Sequence, residues 1–204
     1  MLAPSVGPEL VKFFPYLEDV RWTLVAIYGH IRDEFAEALL GDKILLRAKV
    51  HITESNITES DQLYGGHKVT STGTTFDPFS ASLRTFSYSL TSLILKMRAD
   101  ATLFWPSRDE TGASTPAWPY LETLYVEFGL VAPSGKWYFK PPPGPDEHDS
   151  EDKNSDYRAP EYASGTWRYQ NLREDVERTM MNPLVAALAK AVRHMPLLFF
   201  FLIK

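Results

Sequence analysis

The chain has 204 residues, 44% of them hydrophobic and 13% aromatic, enough apolar material for one core in a single domain. It contains no cysteine, which excludes a disulfide scaffold, thiolate zinc sites, iron–sulfur ligation and a cysteine nucleophile together. The formal net charge of −5 argues against a nucleic-acid-binding surface.

In chain order, Pro8 is placed to open a short helix. After it comes Pro15-Tyr16-Leu17-Glu18-Asp19-Val20-Arg21-Trp22, in which Leu17, Val20 and Trp22 form a Leu-x-x-apolar-x-apolar frame. Residues 31–40 carry Ile31, Phe35 and Leu39 at helical spacing and stop at Gly41. An apolar segment over 44–52 follows and is a candidate degenerate copy of the same frame. Residues 53–75 are rich in Thr, Ser and Gly and read as a long loop or ragged hairpin.

Asp77-Pro78 is a helix start, with Asp as N-cap and Pro at the first helical position. Phe79, Leu83, Phe86 and Leu90 then recur on nearly one face. The frame returns at Leu90, Leu93 and Leu95, and again at Leu121, Leu124 and Val126 within a second Pro-Tyr-Leu-Glu segment. Residues 141–160 hold six acids against two bases, so this proline-rich stretch carries −4 of the net −5 and cannot repay its ordering entropy. A charged helix start is read over 171–178. Asn182-Pro183 reads as the opening of a last helix, striped by Leu184, Leu188 and Val192. A final copy places Leu198, Phe201 and Ile203 in the frame.

The frame has a physical meaning. A leading Leu packs inward from a turn, and the next two apolar residues alternate inward along a short strand. Helices between copies then predict one α/β domain, an irregular leucine-rich-repeat-like open solenoid with short parallel strands, flanking helices and flexible insertions near 53–75 and 141–160. An ordinary α/β sandwich with similar strands is the alternative. No secretory signal is visible at the N-terminus. The apolar C-terminal run is interrupted upstream by Lys190, Arg193 and His194, each charge costing roughly 2.5 kcal/mol or more in a bilayer. It therefore reads as a helix followed by a buried strand. A cytoplasmic or nuclear location is expected.

No chemistry-bearing motif emerges. The histidines (His30, His51, His67, His148, His194) have no metal-ligand spacing, and Gly65-Gly66-His67-Lys68 lacks the rest of a phosphate loop. There is no Gly-x-Ser-x-Gly elbow. Asn56-Ile57-Thr58 is a glycosylation sequon, expected to be silent without a leader. Glu18 and Glu122 occupy equivalent solvated places in two copies, which explains them without catalysis. No catalytic residue, cofactor or metal is expected. The chain's distinctive feature is a concentration of aromatics: Trp105, Trp118, Trp137, Tyr138, Phe139, Trp167 and Tyr169, with Arg168, Arg173 and Lys136 nearby. They read either as an irregular core or as a partner-binding surface, of which Trp105, Trp118, Trp137, Tyr138, Trp167, Arg168 and Tyr169 are the candidates. An enzyme of unrecognised type with an aromatic-lined pocket is the competing expectation.

Phe104-Trp105-Pro106, the run Trp118-Pro119-Tyr120-Leu121-Glu122-Thr123-Leu124-Tyr125-Val126, Ala132-Pro133-Ser134-Gly135-Lys136-Trp137-Tyr138-Phe139 and the later Met195-Pro196-Leu197-Leu198 resemble segments of fungal F-box-type proteins with degenerate leucine-rich repeats. The resemblance runs from about residue 77 to 204. It implies a non-catalytic protein-interaction module of the substrate-recognition kind, with a protein partner, and with a Skp-type adaptor and cullin of a ubiquitin ligase if an F-box is supplied. Gly7-Pro8-Glu9-Leu10 only echoes an F-box start and runs straight into the first copy, so an F-box itself is not evident, and a truncated or non-functional relative is an alternative expectation.

Overall fold

A computed structural model describes residues 8, 11, 13–14, 16–25, 29–40, 47–54, 68–70, 76–110, 112–140 and 175–204. The acidic stretch 141–160 and most of 53–75 lie outside these residues. Thr53 and Glu54, assigned from sequence to the polar insertion, instead complete a strand, because the Glu54 carboxylate is tied to Arg98 at the strand's end.

The elements in order are β1 (Asp19–Leu24), α1 (His30–Leu40), β2 (Lys49–Glu54), α2 (Pro78–Ser87), β3 (Ser92–Met97), a 3-10 turn (Ala101–Leu103), β4 (Thr123–Phe128), α3 (Arg178–Val192) and β5 (Phe200–Ile203). The strands form one five-stranded sheet, all parallel, in the order β1-β2-β3-β4-β5. The described residues thus form a mixed α/β fold with three α-helices.

The register explains the sequence frame. Val20, Val50, Leu93, Leu124 and Phe201 are successive partners across the sheet. The residues three positions earlier are Leu17, Arg47, Leu90, Leu121 and Leu198. Four of the five leading positions are leucine, and Leu90 and Leu121 are fully buried. The second unit breaks the pattern at Arg47. Its backbone turns into the left-handed region (φ 60°), its N–H donates to the Ser89 carbonyl, and its guanidinium lies 4.9 Å over the Tyr120 ring. An exposed Arg stacked on an aromatic stands where the other strands have a leucine, so the segment over 44–52 reads from sequence only as a degenerate match to the frame.

Period-2 alternation places Val50, Ile52, Leu93, Leu95, Met97, Leu124 and Val126 on the face turned to the helices. α1 buries Arg32, Phe35, Ala36 and Leu39, the spacing of one helical stripe. Trp22 of β1 meets Phe35 edge-on at 5.6 Å and Phe86 at 6.2 Å, and Phe35 meets Phe79 at 5.7 Å, so aromatic contacts join β1, α1 and α2. α2 starts as read: the Asp77 carboxylate accepts from the Ser80 N–H (3.0 Å) and Pro78 follows. The helix stops at Ser87, so Leu90 belongs to the turn before β3 and not to the helical stripe.

The last helix begins earlier than Asn182-Pro183. Glu177 is its N-cap, accepting from the Thr179 N–H at 3.1 Å and hydroxyl at 2.7 Å, and Pro183 lies inside the helix. A proline in the second turn removes one hydrogen-bond donor, and the cap holds the turn before it.

Candidate functional site

Two features stand out beyond the core: the sheet face turned away from the helices, and a charged cluster at the ends of the strands.

Each strand sends alternate residues to the face opposite the helices. The registered rows are Asp19, Lys49, Ser92, Thr123 and Phe200, then Arg21, His51, Ile94, Tyr125 and Leu202, then Thr23, Thr53, Lys96 and Glu127. Every one of these residues is exposed or half-buried. Parallel sheets are normally covered on both faces, so this exposure is unusual.

Polar groups on the face are linked to one another. Lys96 Nζ lies 3.1 Å from Glu127 Oε2, and the Tyr125 hydroxyl donates to the same oxygen at 2.8 Å. Hydrogen bonds from Tyr125 and Lys96 hold the Glu127 carboxyl below its ordinary range, and the bond to Glu127 raises Lys96. His51 Nε2 lies 3.1 Å from Thr53 Oγ1. Burial, then the charges of Arg21 and Lys96, push His51 below 6.5, so it is neutral at neutral pH. Arg21, Lys49 and Lys96 face Asp19 and Glu127, a balance of +1 on a chain whose total is −5. The face is therefore basic towards β1 to β3 and apolar towards β5.

The charged cluster lies where β2 and β3 end. Arg32 of α1 is fully buried and donates from Nη2 to Asp77 Oδ2 at 2.8 Å and to the Arg98 carbonyl at 2.7 Å. Arg98 donates to Glu54 Oε1 at 2.9 and 3.1 Å, and its N–H to Oε2 at 3.0 Å. Asp100 accepts from the Thr102 N–H at 2.8 Å and the Asp77 N–H at 3.0 Å. Burial, with the Asp77 carboxylate nearby, raises the Asp100 pKa. Arg84 donates to the Thr102 carbonyl and pairs with Glu110. The cluster ties α1, α2, β2 and the turn after β3 into one unit, and the carboxylate oxygens of Glu54, Asp77 and Asp100 are engaged within the fold. Arg32 falls on the stripe of Phe35, Ala36 and Leu39, a placement that could have marked it as buried, whereas Arg84 has no such signal beyond its apolar neighbours Leu83 and Phe86.

The aromatic candidates separate. Trp118 is 2% exposed, meets Tyr88 edge-on at 5.2 Å and donates from Nε1 to Ser87 Oγ at 2.7 Å. Tyr138 is equally buried and donates its hydroxyl to the Ala99 carbonyl at 2.6 Å, and burial raises its pKa. These two are corrected from candidate surface to core, since each has its single polar atom satisfied inside and its ring enclosed. Trp137 is half-buried, on a backbone bridge with Val131. Trp105 is half-buried, with Lys190 Nζ 5.7 Å over its ring and His194 at 5.4 Å. It borders a cleft of about 410 Å³ between the 3-10 turn and α3, shared with Asp100, Thr102, Met180 and Lys190. Trp167, Arg168 and Tyr169 lie outside the described residues.

Among the described residues, no group of three or more His, Asp or Glu side chains is placed to hold a metal ion, and no helix is long and apolar enough to cross a membrane. Comparison with known protein families, curated proteins and solved structures finds no match to this chain.

Proposed function

We propose that this chain is a non-catalytic protein-interaction module of leucine-rich-repeat-like form, which holds a partner protein on the uncovered face of its sheet. The observation that carries the proposal is that face: five parallel strands in chain order with, among the described residues, helices on one side only and an ordered set of polar and apolar groups on the other. A parallel sheet left open in this way presents rigid side chains at fixed spacing to a partner. The Arg21, Lys49 and Lys96 end favours an acidic segment, and the Ile94, Tyr125 and Leu202 end favours an apolar one. The aromatic contribution reduces to Trp105 and Trp137 among the described candidates. The resemblance to F-box-type proteins makes substrate recognition for a cullin ubiquitin ligase the setting of the proposal, with the Skp-type adaptor engaged through an F-box supplied by another segment.

The test captures partners on immobilised chain and on a variant carrying Arg21→Glu and Lys49→Glu, both exposed and outside the core. The proposal expects a partner retained by the wild type and by Arg193→Glu, on the helix side, but lost from the double variant. Identical retention by all three would refute the assignment of the face. Recovery of neither a Skp-type adaptor nor a cullin, with or without a fused F-box, would remove the ligase setting alone.

A further inference from the structure

We infer that the β5 edge pairs with the β5 edge of a second copy of this chain, joining two sheets into one around a two-fold axis. The inference rests on the edge itself and is independent of the partner proposed for the open face.

β5 is the last strand of the sheet, and no strand lies beyond it among the described residues. The Phe200 N–H donates to the Glu122 carbonyl, the Lys204 N–H donates to the Val126 carbonyl, and the Lys204 carbonyl accepts from the Phe128 N–H. Residues 200, 202 and 204 therefore direct their backbone groups at β4. By the strand alternation, Phe201 and Ile203 direct theirs outward. The edge strand is short, and Lys204 follows it, but the strand itself is Phe-Phe-Leu-Ile, without a charge, proline or bulge. Its side chains are exposed on both faces. Phe199 is 77% exposed, Phe200 46%, Phe201 40% and Leu202 43%. On the helix side, Val185 and Val192 of α3 are exposed as well.

The occupant follows from self-complementarity and charge. In an antiparallel pair centred on Leu202, Phe201 faces Ile203 of the second copy and Ile203 faces its Phe201. Each such pair exchanges an N–H and a carbonyl in both directions, so every outward backbone group of β5 is satisfied. The two-fold axis runs through the sheet, so both helix layers fall on the same side and the exposed α3 flanks approach each other. A head-to-tail stack would instead set Phe200 and Leu202 against the Asp19 and Arg21 side of β1, whose charged groups are 56% and 76% exposed. Apolar against charged is the poorer match, which favours the closed pair over an open filament.

The experiment is sedimentation velocity of the full chain across a concentration series, with three substitutions. The wild type is expected to form a concentration-dependent dimer. Phe201→Pro removes an outward N–H that bonds nothing among the described residues, so it should leave the monomer folded by circular dichroism and abolish the dimer. Leu202→Cys places the chain's sole thiol opposite itself in a non-hydrogen-bonded pair, where the Cα separation is about 4.5 Å and within disulfide range. Mild oxidation should therefore link it, whereas Phe201→Cys, facing Ile203, should remain unlinked. A wild type that stays monomeric throughout overturns the inference and leaves the edge to a strand of another protein. A dimer that survives Phe201→Pro, or that fails to link through Leu202→Cys, overturns the β5 register equally.

Discussion

The buried pair of Arg32 and Asp77 offers a quantitative test of how the fold is held. Arg32→Met removes the guanidinium but keeps much of the side-chain volume. The substitution deletes the 2.8 Å bond to Asp77 and the 2.7 Å bond to the Arg98 carbonyl. It also removes the cation that lies 4.4 Å over Phe79 and 3.8 Å from Glu54. Asp77 is 1% exposed, and among the described residues its carboxylate keeps the Ser80 N–H and hydroxyl as donors, so its charge is left without the compensating cation. Breaking a buried pair from one side costs about 3–5 kcal/mol. Against a typical total of about 5–15 kcal/mol, that is a large share of the stability. Urea denaturation followed by far-ultraviolet circular dichroism reads the change, with the slope unaltered. Adding Asp77→Asn removes the orphaned charge while preserving the N-cap, since Asn caps as well as Asp. The double variant should therefore be more stable than Arg32→Met alone. A loss below about 1 kcal/mol for the single variant, or no recovery in the double, would refute the view that charge compensation joins α1 to α2.

Three further outcomes follow from the same geometry. Asp100 in the fold keeps its proton to a higher pH than the 3.8 of a free aspartate, so its contribution favours folding below that value and is lost as pH rises through the folded pKa. Asp100→Asn should flatten that part of the stability profile, gaining on the wild type as pH rises across the window; parallel profiles from urea melts would contradict it. His51, held below 6.5, should titrate in an NMR pH series below free histidine and move upward in Arg21→Gln, because one of the opposing charges is removed. Its protonation also disfavours the fold, so a small stability loss should appear as pH falls from 6.5 through the folded value. Tyr138→Phe leaves the Ala99 carbonyl without its 2.6 Å donor and should cost about 1 kcal/mol in a thermal or urea melt; an unchanged midpoint would show that water replaces the hydroxyl.

The parts of this fold that were legible in the sequence are those governed by local periodicity. Leu17, Leu90 and Leu121 each stand three residues before a buried strand position, and that spacing survives in the register; Leu198 keeps the spacing, but Phe201 is 40% exposed, so the last strand is not the buried one expected. Asp77-Pro78 announced a helix because cap chemistry is local. The second unit was harder to see because Arg47 replaces the leading leucine. Asn182-Pro183 misled because proline is tolerated inside an early turn, while the true cap, Glu177, is a less common one. The site was less legible. Trp118 and Tyr138 have the composition of a binding surface, and only tertiary packing reveals that Ser87 and Ala99 satisfy them inside. The open face alternates polar and apolar residues as any half-exposed strand does. What makes it unusual is that the strands beside it are parallel, and strand direction is set by the connections and not by the strand residues.

The chain-ordered sheet also bears on how the protein is made. Each strand from β2 onward pairs with the strand synthesised just before it, so a growing chain need not hold an unfinished strand for a distant partner. Assembly at the ribosome can proceed one strand at a time, with α1 and α2 packing as β2 and β3 arrive. β5 pairs in the same way but arrives after the longest wait. Residue 200 follows the end of β4 by 72 positions, the longest interval between described strands, and among the described residues no strand joins the β4 edge before it. That interval is when the nascent chain is most exposed to misdirected pairing, and it places the greatest demand on chaperones at the last strand.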